Sequence, residues 1–417
     1  MRKLLLLLCS SFLMVFAQAQ KTMSGRIFSQ DKTPVAAANI YLSNTSKGTV
    51  SDENGVFVLR NFPEGKYELI ISCVGFELFR TLIGSDQSLD NVVVYLKPKT
   101  EELKEVVVAN DPYDPYGWSR YGHFFMDNFI GTESFASECT LVNKEALRFR
   151  YSPRTDLVKI TAKEDLVIEN NALGYILKYT LVNFEYSLST KQFIYRGYPF
   201  FTEMQSTDKR LEKKWKENRD KVYKGSLLHF MRSTYRDKIA EEQFEVREIA
   251  KISKMEKQRV REMFDRQSKK KLSNSGYIHA NESLLFIEEK DTARIINKDT
   301  LAYFQSVMKQ IRQEEILIDI KLGAKNIASD RDHNSKQLIF PNRIEVVYLP
   351  KIKYPDYQKT LPDDQKFNPV VSHLMNVPEH LVFLSNGSFY GENIVGVKGF
   401  WSWSEKMCTK LPYDYEP

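Results

Sequence analysis

The sequence is poor in cysteine, and this scarcity limits the kinds of site it can build. Its 417 residues include only Cys9, Cys73, Cys139 and Cys408. The last three are odd in number and widely spaced, which excludes a disulfide framework and fits no zinc-site spacing. Cys73 lies in an apolar, strand-like stretch, where a thiol usually packs as a small apolar group. The sequence leaves open whether Cys139 and Cys408 form a disulfide bond.

Long hydrophobic runs and a strong excess of one charge are also lacking beyond the N-terminus. After the first residues no stretch reaches the roughly 20 consecutive apolar residues that a membrane helix needs. The formal net charge of +6 falls to +4 when Arg2 and Lys3 are removed with a leader. So mild and mixed an excess does not point to nucleic acid. We therefore expect no transmembrane segment in the mature chain and no nucleic-acid partner.

Catalytic motifs are missing as well. The sequence contains neither a phosphate-binding loop nor a dinucleotide fingerprint. The segment Gly387-Ser388-Phe389-Tyr390-Gly391 departs from the Gly-x-Ser-x-Gly elbow, and Asn386-Gly387 predicts a turn. We assign no catalytic residue, no cofactor-binding residue and no metal ligand from the sequence, and we expect no cofactor.

The N-terminus has the features of a secretory signal peptide. Met1-Arg2-Lys3 is basic, residues 4–16 form an apolar run, and Ala17 and Ala19 occupy the −3 and −1 positions of a cleavage site. We expect residues 1–19 to be removed and Gln20 to become the first residue. A lipid-anchored alternative would use Cys9, but Leu8 stands where a small residue is needed.

The following segment predicts a small domain of short strands. Apolar and polar residues alternate in three stretches, which begin at Ala38, Tyr67 and Val92. Asn54-Gly55 supplies the positive φ angle of a tight hairpin, and Pro63-Glu64-Gly65 predicts another turn. Several such strands within a hundred residues are typical of a β-sandwich.

The ordered motifs of this segment resemble the carboxypeptidase-regulatory-like domain of Bacteroidetes proteins. The resemblance rests on Ser24-Gly25-Arg26-Ile27, Pro34-Val35, Ala38-Asn39-Ile40, the run from Gly48 to Phe57, Pro63-Glu64-Gly65-Lys66-Tyr67 and Val74-Gly75-Phe76. It implies a seven-stranded, transthyretin-like β-sandwich that is not catalytic and that occurs at the front of envelope proteins. We place this domain at residues 22–100.

The stretch after this domain resembles the segment at the same position in TonB-dependent transporters. The resemblance rests on Leu103-Lys104-Glu105-Val106-Val107-Val108, which could equally be a last strand or a linker strand. Pro112 and Pro115 then interrupt regular structure. We interpret residues 101–117 as a linker, and residues 118–417 as one further region.

Residues 118–417 predict a larger α+β domain with a mainly antiparallel sheet and charged helices. Strand-like alternation recurs from Leu147 onwards, and a charged helix occupies residues 208–223 with Leu211, Trp215 and Val222 on one face. That basic helix invites a membrane-surface interpretation, but its narrow apolar stripe favours a solvated helix packed by Trp215. A second helix begins at Ser226, an N-cap residue.

Other stretches of this region resemble an uncharacterised region that comes after the same β-sandwich in Bacteroidetes proteins. They are residues 168–175, 195–201, 225–230, 399–403 and 411–417. This resemblance implies no established activity. Trp401 and Trp403 alternate across Ser402 as strand residues do, and we favour a core position for them over an exposed binding face.

Peptidase activity is the alternative that the domain resemblance brings to mind. His279 and Glu282 have the His-x-x-Glu spacing of metallocarboxypeptidase zinc ligands, with His373 or His380 as a third ligand. Against it, the regulatory sandwich normally comes after the catalytic domain, and the strand–helix alternation of a doubly wound peptidase is missing.

The sequence therefore favours a non-enzymatic binding or scaffolding protein of the periplasm or the periplasmic face of the outer membrane. Its partner would be an envelope protein or a glycan. The alternatives are an envelope hydrolase with an unrecognised site in the C-terminal region and an accessory to a TonB-dependent transporter. An exposed apolar patch or an unpaired strand edge would favour the binding protein, whereas a histidine cluster in a cleft would favour the hydrolase.

Overall fold

The computed structural model describes most of the chain after the leader. The described residues are 21–62, 65–84, 87–99, 112–273, 286–289, 292–295, 298–340, 343–350, 354–363, 369–375, 381–390 and 395–417. The expected leader, most of the linker, and His279, Glu282 and His380 lie outside these ranges. The chain divides into two compact units, the first running up to Val222 together with Lys406–Pro417, the second Tyr223–Glu405.

The first unit begins with a β-rich domain of seven strands. The strands are β1 (Lys21–Ser29), β2 (Asn39–Leu42), β3 (Gly48–Val50), β4 (Val56–Phe62), β5 (Lys66–Ser72), β6 (Phe79–Gly84) and β7 (Val92–Leu96). They form a three-stranded sheet in the order β4-β1-β7 and a four-stranded sheet in the order β3-β2-β5-β6. Only the β1–β7 pair is parallel among these strands. The expected seven-stranded β domain is confirmed.

One hydrophobic core takes side chains from both of these sheets. The period of two in each strand sends alternate residues inward, so Ile40 of β2, Leu69 of β5 and Val94 of β7 share the core. Tyr41, between Ile40 and Leu42, points to the opposite face of its sheet and belongs to a separate cluster.

The turn at Asn54-Gly55 forms as expected, but the hairpin does not. Gly55 adopts φ +71°, and Asp52 Oδ1 accepts hydrogen bonds from the backbone N–H groups of Asn54 (2.9 Å) and Val56 (2.8 Å). The strands on either side, β3 and β4, belong to different sheets, because β4 pairs with β1. The turn therefore carries the chain from one sheet to the other.

The rest of the first unit is a six-stranded antiparallel sheet with two helices. Its elements are α1 (Gly117–Phe129), β8 (Cys139–Leu141), β9 (Leu147–Ser152), β10 (Leu157–Ala162), β11 (Leu166–Asn170), β12 (Tyr175–Ser187), β13 (Phe193–Glu203) and α2 (Lys209–Tyr223). The long strand β12 pairs with β13 along one edge, and with β11 and then β10 along the other. Phe125 and Phe129 of α1 pack on Phe184 and Tyr179 of β12.

Helix α2 is held by side chains that bind the carbonyl groups of one turn. Trp215 Nε1 donates to the carbonyl oxygen of Asn171 at 2.8 Å, and Asn218 Nδ2 donates to that of Ala172 at 2.7 Å. Arg219 Nε donates to the carbonyl oxygen of Leu173 at 2.7 Å. Trp215 is buried. The solvated, Trp-packed helix that the sequence favoured is confirmed.

The second unit contains three antiparallel sheets and six helices within its described residues. Its elements are α3 (Leu227–Tyr235), β14 (Phe244–Lys251), α4 (Lys254–Ser273), β15 (Phe286–Glu289), β16 (Thr292–Ile295), α5 (Lys298–Lys309), β17 (Glu315–Leu317), α6 (Ala324–Ile327), β18 (Ala328–Asp332), β19 (Ser335–Leu338), β20 (Arg343–Tyr348), α7 (Pro355–Thr360), β21 (Val370–Met375), β22 (Val382–Leu384), β23 (Phe389–Tyr390), β24 (Gly396–Gly399) and α8 (Phe400–Ser404). The sheet orders are β17-β14-β20-β21-β24, β18-β19-β22-β23 and β15-β16. The mixed helical and antiparallel character of the larger region is confirmed.

Two local expectations in this unit have different outcomes. Ser226 caps α3 as expected, since its Oγ accepts the His229 N–H at 3.1 Å. The strand geometry expected at Trp401 and Trp403 is wrong, because Phe400–Ser404 is a helix that begins after Gly399 at φ +70°. Trp401 is nonetheless a core residue, and its Nε1 donates to the carbonyl oxygen of Gly225 at 2.9 Å.

Candidate functional site

The outer face of the three-stranded sheet carries exposed apolar side chains. Because Val94 and Leu96 of β7 point into the core, Val93 and Tyr95 must point outward, and they are 54% and 52% exposed. Phe28 of β1 stacks on Tyr95 with ring centroids 5.9 Å apart. Phe28, Val93 and Tyr95 are called the β7 surface below.

The strand that carries this surface has an open edge. Among the strands that the structure describes, β7 pairs with β1 alone and ends the sheet, although the residues directly after β7 form a bridge between Pro98 and Phe76. An end strand presents unpaired backbone N–H and C=O groups, which can pair with an added strand. Apolar side chains and an open edge therefore coincide on β7.

A second feature of the first unit is a hydrogen-bonded chain between the β domain and the six-stranded sheet. Tyr41 Oη lies 2.8 Å from Thr180 Oγ1, and Thr180 donates to Asp165 Oδ1 at 2.6 Å. Ser72 Oγ donates to the other carboxylate oxygen of Asp165 at 3.3 Å. Burial raises the pKa of the Tyr41 hydroxyl, which keeps it neutral and able to donate.

The last residues of the chain bind the same domain. Asp414 accepts hydrogen bonds from the Ser46 N–H at 2.9 Å and from Ser46 Oγ at 2.5 Å. Tyr413 N–H donates to the carbonyl oxygen of Asn44 at 2.7 Å, and Tyr415 Oη donates to Asp220 Oδ1 at 2.5 Å. The C-terminal segment thus contacts both the β domain and α2.

A cleft of about 200 Å³ opens beside Tyr41 and Asp165. It is lined by Asn39, Ile40, Tyr41, Gly48, Thr49, Val50, Asp165, Lys178 and Phe200. Apolar and polar groups converge there, as they do in small-molecule sites, but its volume lies below the roughly 300–1,000 Å³ usual for such sites.

Cys139 and Cys408, for which the sequence left a disulfide bond open, both lie close to the buried carboxyl group of Glu133. Cys408 Sγ donates to Glu133 Oε2 at 3.0 Å, and both cysteines are free thiols in this structure. Burial raises the pKa of Glu133, raises that of Cys139 to about 12 and raises that of Cys408 well above its ordinary value. Since the thiolate is the nucleophile, neither thiol is an activated one.

The histidines do not assemble a hydrolytic site within the described residues. His373 Nε2 lies 3.7 Å from Glu345 Oε2 on the five-stranded sheet, while His279, Glu282 and His380 lie outside the described ranges. His229 is buried and bonded to Glu242. In the described part of the chain, no three His, Cys, Asp or Glu side chains are grouped as metal ligands.

None of the helices in the described ranges is long and apolar enough to cross a bilayer.

Comparison with known proteins places the β domain in a family. Residues 23–108 match the model of the CarboxypepD_reg-like domain. A TonB-dependent receptor of Formosa agariphila is 33% identical over 105 residues, which cover 25% of this chain and 10% of the receptor. The chain therefore spans about a tenth of the length of this relative.

Two solved structures show a likeness limited to part of each chain. Both are mutants of a type II cohesin–X-dockerin complex from Acetivibrio cellulolyticus, with 19% identity and TM-scores of 0.17 and 0.16. The matches cover 19% and 18% of this chain and 58% and 56% of those chains, and they carry no argument at these scores. The family match agrees with the motifs of the sequence and with the seven strands of the structure. Residues 23–108 of this chain are a CarboxypepD_reg-like domain.

Proposed function

We propose that the protein is an exported, envelope-associated binding protein that recognises another envelope macromolecule, a protein or a glycan, through the β7 surface, without catalysis. One observation carries this proposal. Val93 and Tyr95, each more than half exposed, stand on an end strand whose outer edge has no partner strand within the described residues. Exposed apolar groups beside an open strand edge are typical of protein interaction sites.

The proposed architecture extends the sequence interpretation. Residues 1–19 are a signal peptide, 22–100 a transthyretin-like β-sandwich, 101–117 a linker, and 118–417 the larger α+β region. The two sheets around one core support the sandwich. Sequencing the N-terminus of protein recovered from the periplasm tests export, and a first residue other than Gln20 would contradict the proposed cleavage.

A role beside a TonB-dependent transporter is the second candidate. It is favoured by the relative from Formosa agariphila, whose name is that of a TonB-dependent receptor and whose similarity covers the β domain. In this version the partner of the β7 surface is a transporter of the outer membrane.

The experiment is affinity capture from envelope extracts with the mature chain immobilised. A double variant, Val93→Lys with Tyr95→Lys, places two charges on the β7 surface. Because both positions are exposed, its stability should remain within about 0.5 kcal/mol of the parent. The matched control is Ile194→Lys, at a 40% exposed position of β13.

The expected result is a stoichiometric partner that the parent and the Ile194→Lys variant retain and the double variant loses. Equal capture by all three proteins would rule out the β7 surface. A metal assay on the same purified chain addresses the hydrolase alternative, since stoichiometric zinc would contradict a purely binding role.

A further inference from the structure

The cleft of about 200 Å³ lies between the end of the four-stranded sheet and the face of the six-stranded sheet. Asn39 and Val50 are opposite one another in the β2–β3 ladder, so their side chains share one face, the same face as Tyr41. Across the cleft, Lys178 of β12 is paired with Phe200 of β13. Both walls belong to the first unit.

The residues of β3 that line one wall of the cleft belong to a strand with an open edge in the described part of the chain. β3 ends its sheet, and Leu42 N–H donates to the Lys47 carbonyl while Ser51 N–H donates to the Ala38 carbonyl. Since inward and outward backbone groups alternate in an antiparallel pair, those of Gly48 and Val50 point away from β2. They can therefore pair with one more extended segment.

The polar side chains of the cleft differ in whether they are already engaged. Both carboxylate oxygens of Asp165 accept protein hydroxyl groups, from Thr180 and Ser72. Within the described residues, the side-chain amide of Asn39 makes no hydrogen bond, and the ammonium group of Lys178 makes no ion pair. An amide and a cation thus remain available beside the exposed side chain of Val50, which is 55% exposed.

The size of the cleft limits its occupant to part of a larger molecule. Sites for whole small ligands usually measure about 300–1,000 Å³, so about 200 Å³ holds only the end of a ligand. An open strand edge selects an extended polypeptide, and an unpaired ammonium group selects an anionic end.

We propose that this cleft binds the C-terminal end of an extended peptide, with the backbone of Gly48 and Val50 pairing with the peptide strand and Lys178 with its terminal carboxylate. The Asn39 amide then bonds the last peptide group, and Val50 packs against the last side chain. This site is separate from the β7 surface, and the proposal does not rest on the proposed function.

The probe is the pentapeptide Thr-Ser-Val-Thr-Val, labelled with fluorescein at its N-terminus, with either a free C-terminal carboxylate or a C-terminal amide. Fluorescence anisotropy with the mature full chain measures binding. Hydrogen exchange, followed by mass spectrometry of the segment that contains residues 47–51, measures protection of the β3 edge. The expected result is saturable binding of the acid, about tenfold weaker binding of the amide, and protection of that segment.

Variants separate the site from general effects. Lys178→Ala should weaken binding of the acid about tenfold and leave binding of the amide unchanged. Lys209→Ala, which removes an exposed charge at the start of α2, should change neither. Asn39→Ala provides a second variant should Lys178→Ala alter the circular dichroism spectrum. The double variant of the β7 surface should bind the acid as the parent does.

Three outcomes would overturn the proposal. They are equal binding of acid and amide, no saturation of either peptide at millimolar concentration, and binding without protection of the β3 edge. Loss of peptide binding with an intact β7 interaction would remove this site alone, whereas the reverse would remove the proposed function alone.

Discussion

The hydroxyl oxygens of Tyr41 and Thr180 lie 2.8 Å apart, although 139 residues separate the two side chains in the sequence. Thr180 gives its own proton to Asp165, so the hydroxyl of Tyr41 is the donor to Thr180, and it also donates to the carbonyl oxygen of Tyr198 at 3.2 Å. The CarboxypepD_reg-like domain is therefore tied to the six-stranded sheet by a directed chain of hydrogen bonds within one compact unit.

This chain predicts the effect of Tyr41→Phe. The change removes the hydroxyl that donates to Thr180 Oγ1 and to the carbonyl oxygen of Tyr198. The loss of these hydrogen bonds in a half-buried position should cost about 1–2 kcal/mol of unfolding free energy. Urea denaturation measures the loss. Tyr95→Phe is the matched control, because the Tyr95 side chain is exposed, and it should stay within about 0.5 kcal/mol of the parent. Equal effects of the two changes would contradict the role assigned to Tyr41.

The local features of this fold could be predicted from the sequence because they depend on neighbouring residues. Alternation at Ile40 and Val94 fixes which side of a strand is buried, and Ser226 begins a helix because its side chain satisfies a nearby N–H. The prediction of a strand at Trp401 was wrong, because two aromatic residues two positions apart occur in strands and in short helices alike. The positive φ of Gly399 turns the chain into a helix at this point.

The sites could not be predicted, because they join distant parts of the chain. Tyr41, Asp165 and Asp414 meet their partners across long separations, and no local spacing marks them. The open edge of β7 could not be predicted either. The alternation in Val92–Leu96 predicts a strand, but it does not show on which side that strand lacks a partner strand. The sequence indicates an exposed apolar patch or an unpaired strand edge as the kind of site to expect, but it does not identify the residues that form one.

The second unit should lose stability in mild acid through His229. Its Nδ1 accepts the Gly225 N–H at 3.1 Å, so the ring proton is on Nε2, 2.9 Å from Glu242 Oε2. Burial lowers the pKa of His229 below its ordinary value of about 6.5, and this outweighs the opposing effect of Glu242. Protonation therefore favours the unfolded chain. The stabilising contribution is complete above about pH 6.5 and is lost as the pH falls below it.

The measurement is the urea unfolding free energy of the parent and of His229→Gln between pH 8 and pH 5. The parent should lose more stability than the variant over this interval, because only the parent carries the buried imidazole. His333→Gln, at an exposed position of the same unit, should keep the pH dependence of the parent. A pH profile of His229→Gln parallel to that of the parent would show that His229 is not the responsible group.

The thiols should differ in their reactivity. Cys73 and Cys139 are both partly exposed, and Cys408 is fully buried. Burial raises the pKa of all three thiols, that of Cys139 to about 12 and that of Cys408 well above its ordinary value. Iodoacetamide at pH 8 should therefore modify Cys73 in the native chain, and Cys139 and Cys408 only after denaturation. Peptide mass spectrometry gives the order. If Cys139 and Cys408 resist alkylation in denaturant without a reducing agent, the isolated protein contains a bridge between them, contrary to the free thiols of this structure.

Replacing a glycine can cost free energy through backbone strain and through steric overlap of the new Cβ. A comparison of Gly174 with Gly75 distinguishes the two. Both have positive φ, +69° and +84°, so alanine at either position should cost about 1–2 kcal/mol from backbone strain. A Cβ at Gly174 would lie 2.3 Å from the Trp215 ring, whereas a Cβ at Gly75 would meet no atom within 4 Å. Trp215 cannot move away easily, because its Nε1 is bonded to the Asn171 carbonyl.

Gly174→Ala should therefore cost about 1–3 kcal/mol more than Gly75→Ala, the additional amount being the cost of overpacking. Urea denaturation of the two variants measures the difference, and hydrogen exchange of residues 209–222 shows whether α2 loosens. Trp215→Phe in the Gly174→Ala background should recover part of the loss, because the smaller ring relieves the clash. Equal losses in the two glycine variants would mean that α2 does not depend on the close approach of Trp215 to Gly174.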